Sequence, residues 1–271
     1  ICASLFLLFI VISAASGFVV YPPPTRRYSR SLMITHIIFD LDGTLCNSTT
    51  LGFESTNAAL EANGKARITL EAYEACTRYD TVTRFGVHLN TLNGGSGPTS
   101  EPEIMSEALR IGGEFERQYT SLVSPSTAPF FPNALSRLRE IKASEQRSSN
   151  TVTMSILTNA KQEYALKVLE VNGCSSLFSS VHGADSAGVS KPNPGGLNFI
   201  MSENNVTPET TVFVGDSLSD GEAGINSNCR TIGCSWGAGK GLEESGFFTE
   251  GVVHSVDELF DKLETLIESK S

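Results

Sequence analysis

Short apolar runs rich in β-branched residues recur along the chain, and turn-forming residues bound each of them. Such runs are typical of the buried strands of a parallel sheet. The clearest are Ile34–Phe39, Val152–Leu157 and Thr211–Val214, and two weaker ones are Ser180–His182 and Cys229–Ile232. The pattern therefore predicts five strands spread over most of the chain.

Between the predicted strands, apolar residues repeat at helical spacing. Three stripes stand out: Ala134, Leu135, Leu138 and Ile141; Ala165, Leu166, Val168 and Leu169; and Val256, Leu259, Phe260, Leu263, Leu266 and Ile267. Ser255 and Glu258 have the spacing of a capping box at the start of the last helix. Strands that alternate with amphipathic helices predict the α/β class, with a parallel sheet covered by helices on both faces.

Residues 50–128 interrupt this alternation, because no strong strand pattern lies among them. The segments STNAALEANG and EPEIMSEALRIGGEFERQY predict helices, and the Gly- and Ser-rich segment LNTLNGGSGPTS predicts a loop between them. We therefore expect a helical insertion after the first strand, with the sheet resuming near Pro129–Pro132. This divides the chain into an α/β core of residues 32–46 and 129–271 and a helical unit of residues 47–128.

The first twenty residues, ICASLFLLFIVISAASGFVV, contain no charged side chain. The apolar core Leu5–Ile12 precedes the small residues Ala15 and Gly17, a pattern that favours a signal peptide over a membrane-spanning helix. The next stretch, FVVYPPPTRRYSRS, resembles a transit peptide, and together they resemble the two-part plastid presequences of algae with complex plastids. We expect residues 1–31 to be a presequence that directs the chain to a plastid. Secretion, or a membrane anchor in residues 1–20, is the alternative.

The charge of the chain narrows the classes of partner. The formal net charge is -10, which disfavours nucleic acids and anionic membranes as main partners. We therefore expect no nucleic-acid binding, and no stable membrane association once the presequence is removed. The six cysteines show neither CxxC spacing nor a Cys/His cluster, so the sequence predicts no zinc site and no disulfide framework.

Polar side chains follow three of the predicted strands. They are Asp40 and Asp42 after the first strand, Thr158 and Asn159 after Leu157, and Asp216 and Asp220 in the segment GDSLSD after Val214. Ligands of open parallel sheets bind at the carboxyl ends of the strands, so these side chains are expected to converge at one edge. Lys191 lies in a loop before a helix that Pro192 and Pro194 would help to start.

Taken together, these residues indicate a more specific chemistry than any one of them does alone. Taken singly, a strand-end aspartate is more often a helix cap or a turn residue, and a loop lysine is usually a solvated charge. Carboxylates from two strand ends would form an oxygen-lined site suited to Mg²⁺. A hydroxyl and a lysine beside it would hold a phosphate dianion. The joint pattern therefore indicates phosphoryl transfer to a carboxylate.

Four motifs in this order make the chain resemble the haloacid dehalogenase superfamily, in its phosphatase branch with a helical cap. They are DLDGTL at 40–45, LTN at 157–159, KP at 191–192 and GDSLSD at 215–220, and the similarity extends over about residues 34–268. The segments GADSAGVSKPNPGGL and TVFVGDSLSDGEAGINSNCRTIGCSWGAG resemble phosphoglycolate phosphatases in particular. The resemblance implies a Rossmann-like core, with residues 47–128 as the cap.

The resemblance also implies a role for each motif residue. Asp40 would attack phosphorus and become an aspartyl-phosphate, and Asp42 would first donate and then accept a proton. Dehalogenases lack an acid at the position of Asp42, so its presence points to a phosphate ester. Mg²⁺ would be held by Asp40, the Asp42 backbone carbonyl and Asp216, with Asp220 in support. The phosphate would be bound by Thr158, Lys191 and the backbone N–H groups of Leu41, Asp42 and Asn159.

The expected function is Mg²⁺-dependent hydrolysis of a small phosphorylated metabolite, such as 2-phosphoglycolate, by a monomer or homodimer. A sugar-phosphate mutase of the β-phosphoglucomutase type has the same motifs and is the alternative. A non-catalytic relative is expected to lack at least one of Asp40, Asp42 and Asp216, and all three are present. Within the cap, three residues are either substrate contacts or solvated charges: Arg78, Arg84 and His88.

Overall fold

The computed structural model describes residues 32–144, 151–237 and 239–268, so residues 1–31, on which the presequence prediction depends, lie outside it. Its centre is a parallel sheet of six strands in the order β3-β2-β1-β4-β5-β6. The strands are β1 His36–Phe39, β2 Thr153–Leu157, β3 Ser180–His182, β4 Thr211–Gly215, β5 Arg230–Cys234 and β6 Val252–Val253. The predicted parallel sheet is confirmed. Among the described residues, no helix combines the length and the apolar character needed to cross a membrane.

Two apolar clusters lie against the sheet, because successive strand residues face opposite sides. Ile37 and Phe39 belong to one cluster, together with residues of α5 (Ala134–Ser144), α6 (Gln162–Val171) and α10 (Val256–Glu268). Ile38 belongs to the other, together with residues of α8 (Gly195–Glu203) and α9 (Leu218–Asn226). A short helix, α7 (Ala184–Ala187), follows β3. Helices therefore cover both faces of the sheet, as the sequence predicted.

Four helices lie between β1 and α5, and we call them the helical insertion: α1 Thr49–Ala62, α2 Leu70–Glu74, α3 Thr81–Leu92 and α4 Pro102–Ser121. The sequence predicted α1 and α4, but α3 runs into the segment that was predicted to be a loop. Asp80 starts α3, because its carboxylate accepts a hydrogen bond from Thr83 N at 3.0 Å. Asn90, near the end of α3, then ties the following loop to the helix by donating to the Gly97 carbonyl at 3.0 Å.

The chain crosses into the insertion and back through two adjacent segments. Asn47 N donates to the Pro129 carbonyl at 2.8 Å, and Phe131 N donates to the Leu45 carbonyl at 2.9 Å. Cys46 and Phe130 form an isolated antiparallel bridge here. The prediction that the sheet resumes near residues 129–132 was therefore wrong, since the main sheet resumes only at β2. The proposed division after residues 46 and 128 falls at this crossing and stays a prediction.

Three local predictions differ from the structure. The strand β6 was missed, because two residues are too few to show a pattern. Leu166 of the predicted stripe is 46% exposed, whereas Tyr164 is buried in its place. Ser255 Oγ accepts a hydrogen bond from Glu258 N at 3.2 Å, but the Glu258 carboxylate accepts from His254 N instead of Ser255 N. Only half of the predicted capping box therefore forms.

Candidate active site

The first aspartate of the DLDGTL segment lies directly after β1, at the carboxyl edge of the sheet. Asp40 N donates to the Val214 carbonyl at 2.8 Å, which continues the pairing of β1 with β4 by one residue. The two strands are parallel, with Phe39 opposite Val214. Asp40 and Asp216 therefore leave the sheet side by side, although they are far apart in the sequence.

Three buried carboxylates meet at this edge. Asp40, Asp216 and Asp220 each offer one oxygen, and these oxygens lie within 4.8 Å of one another. Such a set repels itself unless a cation lies among the oxygens. Its compact, all-oxygen, anionic character fits Mg²⁺ or another hard divalent cation. The carboxylate of Asp42 lies outside this group, which is consistent with a contribution through its backbone carbonyl.

Lys191 lies among the same carboxylates. Its Nζ atom is 2.6 Å from Asp40 Oδ1 and 2.6 Å from Asp220 Oδ1, and it donates to the Leu157 carbonyl at 3.2 Å. Burial alone would lower the pKa of Lys191, but the Asp220 and Asp40 carboxylates outweigh it and raise that pKa. Burial also raises the pKa of Asp40, and the Lys191 ammonium opposes that rise. The lysine therefore stays charged and favours the ionised form of Asp40.

Gly43 makes the sharp turn after the two aspartates. Its φ is +81°, in the left-handed region that favours glycine. A Cβ atom at this position would overlap the Asp216 carboxylate. Gly43 N donates to the Cys46 carbonyl at 2.9 Å, which closes the turn. Glycine therefore permits both the backbone conformation and the close approach of Asp216.

Asp42 accepts two short hydrogen bonds on a single oxygen. Ser48 Oγ donates to Asp42 Oδ1 at 2.5 Å, and Tyr164 Oη donates to the same atom at 2.6 Å. Burial raises the pKa of Asp42, and these two donors oppose the rise. A raised pKa suits a carboxyl group that must hold a proton and then release it. Sequence analysis missed both Ser48 and Tyr164.

Thr158 and Asn159 follow β2 and lie beside Lys191. Thr158 is buried, and its Oγ1 accepts a hydrogen bond from Ala160 N at 3.1 Å. The Asn159 side chain accepts from Lys191 N at 2.8 Å and donates to the Lys191 carbonyl at 3.1 Å. Asn159 therefore fixes the lysine loop to the end of β2, a role that the sequence did not predict.

The three backbone N–H groups that were predicted to bind phosphate belong to Leu41, Asp42 and Asn159. Within the described ranges, none of them donates to a protein acceptor. The Leu41 side chain is fully buried, so only its backbone is available to a ligand. Unpaired N–H groups in a loop of this kind are suited to an anion.

The polar groups of the sheet edge share one cavity of about 100 Å³ with residues of the helical insertion. The sheet edge contributes Asp40, Asp42, Thr158, Asn159, Lys191, Asp216 and Asp220, and the insertion contributes Tyr73, Arg78, Arg84, Phe115 and Tyr119, among others. Lys161 Nζ and Glu116 Oε2, at 2.6 Å, form an ion pair between α4 and the residue before α6. Both of these residues line the cavity. The insertion therefore forms part of the wall of the site.

The three insertion residues singled out from the sequence have different surroundings. Arg84 lines the cavity, its guanidinium carbon lies 4.8 Å from the Phe115 ring centroid, and its buried Nε has no hydrogen-bond partner among the described residues. Arg78 also lines the cavity, and it donates to Tyr79 Oη at 2.7 Å. His88 is buried and does not line the cavity, and burial lowers its pKa to about 4. His88 is therefore neither a substrate contact nor a solvated charge.

Residues 37–234 match the family model of the haloacid dehalogenase-like hydrolases. The chain belongs to this family. Among curated relatives, the phosphoglycolate phosphatase of Psychrobacter arcticus is 29% identical over 207 residues, which cover 76% of this chain and 86% of the relative. The pyrophosphatase PpaX of Listeria innocua is 26% identical over 215 residues, which cover 79% of this chain and 89% of the relative. The haloacid dehalogenase-like protein described here is thus a hydrolase of the phosphatase type.

Solved structures agree with this fold. The β-phosphoglucomutase of Clostridium difficile superimposes with a TM-score of 0.66 at 20% identity, covering 88% of this chain and 100% of that chain. At this identity the similarity shows the shared fold alone. The Rossmann-like sheet with an inserted helical cap is therefore confirmed for this haloacid dehalogenase-like hydrolase.

Proposed function

We propose that the protein is a Mg²⁺-dependent phosphatase that hydrolyses a small phosphomonoester, 2-phosphoglycolate or a close analogue, through an aspartyl-phosphate on Asp40. One observation carries this proposal: the buried Asp40 carboxylate lies 2.6 Å from Lys191 Nζ, in the cavity that Asp42 also lines. A nucleophilic carboxylate, a cation and a second acid are the groups that phosphoryl transfer needs. The phosphoglycolate phosphatase among the relatives supports the choice of substrate.

In the first step, an Asp40 oxygen attacks phosphorus while the bond from phosphorus to the substrate alkoxide breaks. Asp42 gives its proton to that alkoxide, which leaves as an alcohol. Lys191 favours the ionised form of Asp40 before the attack and offsets the charge of the incoming phosphate. Thr158 and the backbone N–H groups of Leu41, Asp42 and Asn159 would hold the other phosphate oxygens.

In the second step, water attacks the phosphorus of the aspartyl-phosphate, and the bond to the Asp40 oxygen breaks. Asp42, now ionised, takes a proton from the water, so the acid of the first step returns to its starting state. Inorganic phosphate is released and Asp40 is regenerated as a carboxylate. A single group can serve both steps only if it stays close to Asp40, and the turn at Gly43 keeps Asp42 there.

The carboxylates of Asp40, Asp216 and Asp220, with the Asp42 backbone carbonyl, would hold Mg²⁺. When bound, Mg²⁺ would neutralise part of the carboxylate and phosphate charge, so that two anions can approach one another. Asp220 is itself held in place, because its Oδ2 accepts from Ser217 N at 2.9 Å and its Oδ1 lies beside Lys191. These contacts are consistent with Asp220 helping Asp40 and Asp216 to hold the metal.

Arg84 supports a substrate with a second anionic group. Its guanidinium lies over the rings of Phe115 and Tyr73, which help to hold it in place, and it forms no ion pair with any of the described carboxylates. Its Nε is buried and has no hydrogen-bond partner among the described residues, and Arg84 lines the cavity. A planar guanidinium pairs well with a carboxylate. The carboxylate of 2-phosphoglycolate would match it.

Phosphate release tests the proposal directly. The panel is 2-phosphoglycolate, β-glucose 1-phosphate, pyrophosphate, nucleoside monophosphates and p-nitrophenyl phosphate, each with Mg²⁺ and with EDTA. We expect turnover of 2-phosphoglycolate above the others, lost with EDTA and in Asp40→Asn, and kept in Asp257→Asn, a matched change of an exposed carboxylate on α10. Conversion of β-glucose 1-phosphate to glucose 6-phosphate without phosphate release would favour the mutase. Turnover that survives Asp40→Asn would contradict the aspartyl-phosphate route.

The plastid location is a separate proposal, supported by the composition of residues 1–31. Its test is a fluorescent protein fused behind residues 1–33 and expressed in an alga with complex plastids. Fluorescence inside the plastid agrees with the proposal, whereas fluorescence in the secretory pathway or on a membrane agrees with one of the alternatives.

A further inference from the structure

Three hydroxyl groups form a hydrogen-bond network around Asp42, two of them bonded to its carboxylate and the third bonded to one of these two. Ser48 Oγ and Tyr164 Oη both donate to Asp42 Oδ1, at 2.5 and 2.6 Å. Tyr119 Oη donates in turn to Tyr164 Oη at 2.9 Å. None of the described residues donates to Asp42 Oδ2. One carboxyl oxygen of Asp42 is therefore fully engaged by the protein, and the other is free.

The two tyrosines come from different parts of the fold. Tyr164 lies in the first turn of α6, against the sheet, and Tyr119 lies in the last turn of α4, in the helical insertion. Their rings are stacked, with centroids 4.4 Å apart and an interplanar angle of 22°, and Tyr119 also stacks on Phe115 at 4.8 Å. The exposed fractions are 1% for Tyr164 and 7% for Tyr119. Buried and stacked rings hold their hydroxyl groups in fixed positions.

The hydrogen-bond directions have a chemical consequence. Tyr164 Oη accepts from Tyr119, so its own hydrogen is directed to Asp42, and chains of this kind strengthen each member. An oxygen that already accepts two O–H donors is a poor place for the carboxyl proton. In the protonated acid, the proton is therefore placed on Oδ2, the oxygen that accepts no hydrogen bond from the described residues.

We propose that Tyr164 is a positioning residue for Asp42: it engages Oδ1 so that Oδ2 carries the proton to the leaving group, and Tyr119 extends this control to the helical insertion. This inference rests on the proposed function, in which Asp42 is the proton donor. Tyr164 touches Asp42 and acts through it, so it is not assigned a contact with the reacting atoms. The link through Tyr119 makes the geometry of the acid depend on how α4 packs against α6.

The test compares two leaving groups. An alkyl phosphate such as 2-phosphoglycolate needs a proton on its leaving oxygen, whereas p-nitrophenolate leaves from p-nitrophenyl phosphate without one. For Tyr164→Phe, we expect kcat/KM to fall about tenfold or more with the alkyl phosphate and no more than about twofold with the aryl phosphate, as the loss of one charge-assisted hydrogen bond would give. KM for the alkyl phosphate is expected to stay unchanged. For Tyr119→Phe, kcat/KM with the alkyl phosphate is also expected to fall, by a smaller factor.

The control variants separate this role from a structural one. Thr211→Val removes a buried hydroxyl at the start of β4 that donates to the Thr207 carbonyl at 2.8 Å and does not line the cavity, and it is expected to leave the ratio of the two kcat/KM values unchanged. Equal losses on both substrates in Tyr164→Phe, or no loss on either, would overturn the proposal. If Tyr164→Phe fails to fold, the same comparison in Tyr119→Phe decides the matter.

Asp42→Asn distinguishes failure of this inference from failure of the proposed function. The quantity compared is kcat/KM, which reports formation of the aspartyl-phosphate, because the later hydrolysis step also uses Asp42 and is common to both substrates. If Asp42→Asn lowers kcat/KM far more with the alkyl phosphate than with the aryl phosphate, Asp42 is the proton donor, and the tyrosine variants then test the positioning alone. If Asp42→Asn lowers both kcat/KM values equally, the role of Asp42 as proton donor fails, and the role of Tyr164 fails with it.

Discussion

Lys191 Nζ lies 2.6 Å from Asp40 Oδ1, in a site where both residues are about one-twentieth exposed. The same nitrogen is shared with Asp220, so one ammonium faces a cluster of three carboxylates. A single lysine charge balances one of the three, and a divalent cation would balance the other two. The lysine is therefore part of the electrostatic support of the cluster as well as a candidate phosphate ligand.

Replacing this lysine is expected to make the protein depend on Mg²⁺ for its stability. Without the metal, Lys191→Met is expected to lower the free energy of unfolding by about 3–5 kcal/mol, because buried carboxylates lose their counter-charge. Saturating Mg²⁺ is expected to restore part of that loss, so the metal raises the melting temperature more in the variant than in the wild type. Thermal unfolding with Mg²⁺ and with EDTA measures both effects.

The matched control for this prediction is Lys65→Met. Lys65 forms an ion pair with Glu107 at 2.9 Å on the helical insertion, and both side chains are more than a quarter exposed. Its loss is expected to change stability by no more than about 1 kcal/mol, with or without Mg²⁺. An equal response to Mg²⁺ in the wild type and in Lys191→Met would show that the metal does not bind at the carboxylate cluster.

The fluorescence of Trp236 is expected to report metal binding. Trp236, the one tryptophan of the chain, donates to the Thr44 carbonyl at 3.1 Å, and a Cβ on the next residue, Gly237, would overlap the Asp216 carboxylate. We expect Mg²⁺ to change the emission of Trp236 with a saturable titration curve. Asp216→Asn is expected to weaken Mg²⁺ binding by about tenfold or more, because a charged ligand oxygen is lost. A titration curve in Asp216→Asn that matches the wild type would exclude Asp216 as a ligand, and Asp257→Asn is the surface control.

Some of the site could be predicted from sequence because its residues follow strands. Asp40, Asp42, Asp216 and Asp220 come directly after apolar runs, and the parallel register then brings three of their carboxylates together. Tyr164 gave no such signal, since it lies in an apolar helical stripe where a tyrosine is an ordinary core residue. Its partner Asp42 is 122 residues away in the sequence, so only the packing of α6 reveals the contact.

The helical insertion was harder to predict for a different physical reason. Its helices pack mainly on one another. No strand pattern lies between them in the sequence to show where one helix ends and the next begins. The start of α3 depends on a hydrogen bond from Thr83 N to Asp80, a local capping contact that many loop sequences could also make. Arg84 was recognised as a candidate, but its aromatic neighbours come from α2 and α4 and could not be predicted from its own segment.

Arg84 is expected to set the preference for a substrate with a second anionic group. Arg84→Met is expected to raise KM for 2-phosphoglycolate by about 10–100-fold, because a charge-assisted hydrogen bond to the substrate carboxylate is lost. KM for p-nitrophenyl phosphate, which has no carboxylate, is expected to stay within about twofold of the wild-type value. Steady-state kinetics on the two substrates measure this split.

The conservative and surface variants sharpen that prediction. Arg84→Lys keeps the charge but loses the planar fork, so only partial recovery is expected. Arg110→Met removes an arginine of the same insertion that pairs with Glu114 and does not line the cavity, and it is expected to change neither KM. Equal increases of KM on both substrates in Arg84→Met would show that Arg84 acts on the common phosphate instead of a second group.

His36 is expected to make the fold sensitive to mild acid. The residue is fully buried at the start of β1, its Nδ1 lies 2.6 Å from Thr153 Oγ1, and its Nε2 has no hydrogen-bond partner among the described residues. Burial lowers the pKa of His36 to about 4 from the usual 6.5. Above pH 6.5 the histidine is neutral in both the folded and the unfolded protein, so its contribution to the free energy of unfolding does not change with pH there.

Between pH 6.5 and 4 the unfolded chain takes up a proton that the folded protein excludes, so stability falls as the pH falls. At pH 5 the loss of free energy of unfolding attributable to His36 is on the order of 2 kcal/mol, because each pH unit below 6.5 costs about 1.4 kcal/mol. Urea unfolding at pH 7 and pH 5 measures it, and His36→Asn is expected to show a smaller difference between the two pH values than the wild type. His254→Asn, at an exposed position, is the matched control and is expected to keep the full difference. If His36→Asn loses as much stability on acidification as the wild type does, another group causes the acid sensitivity.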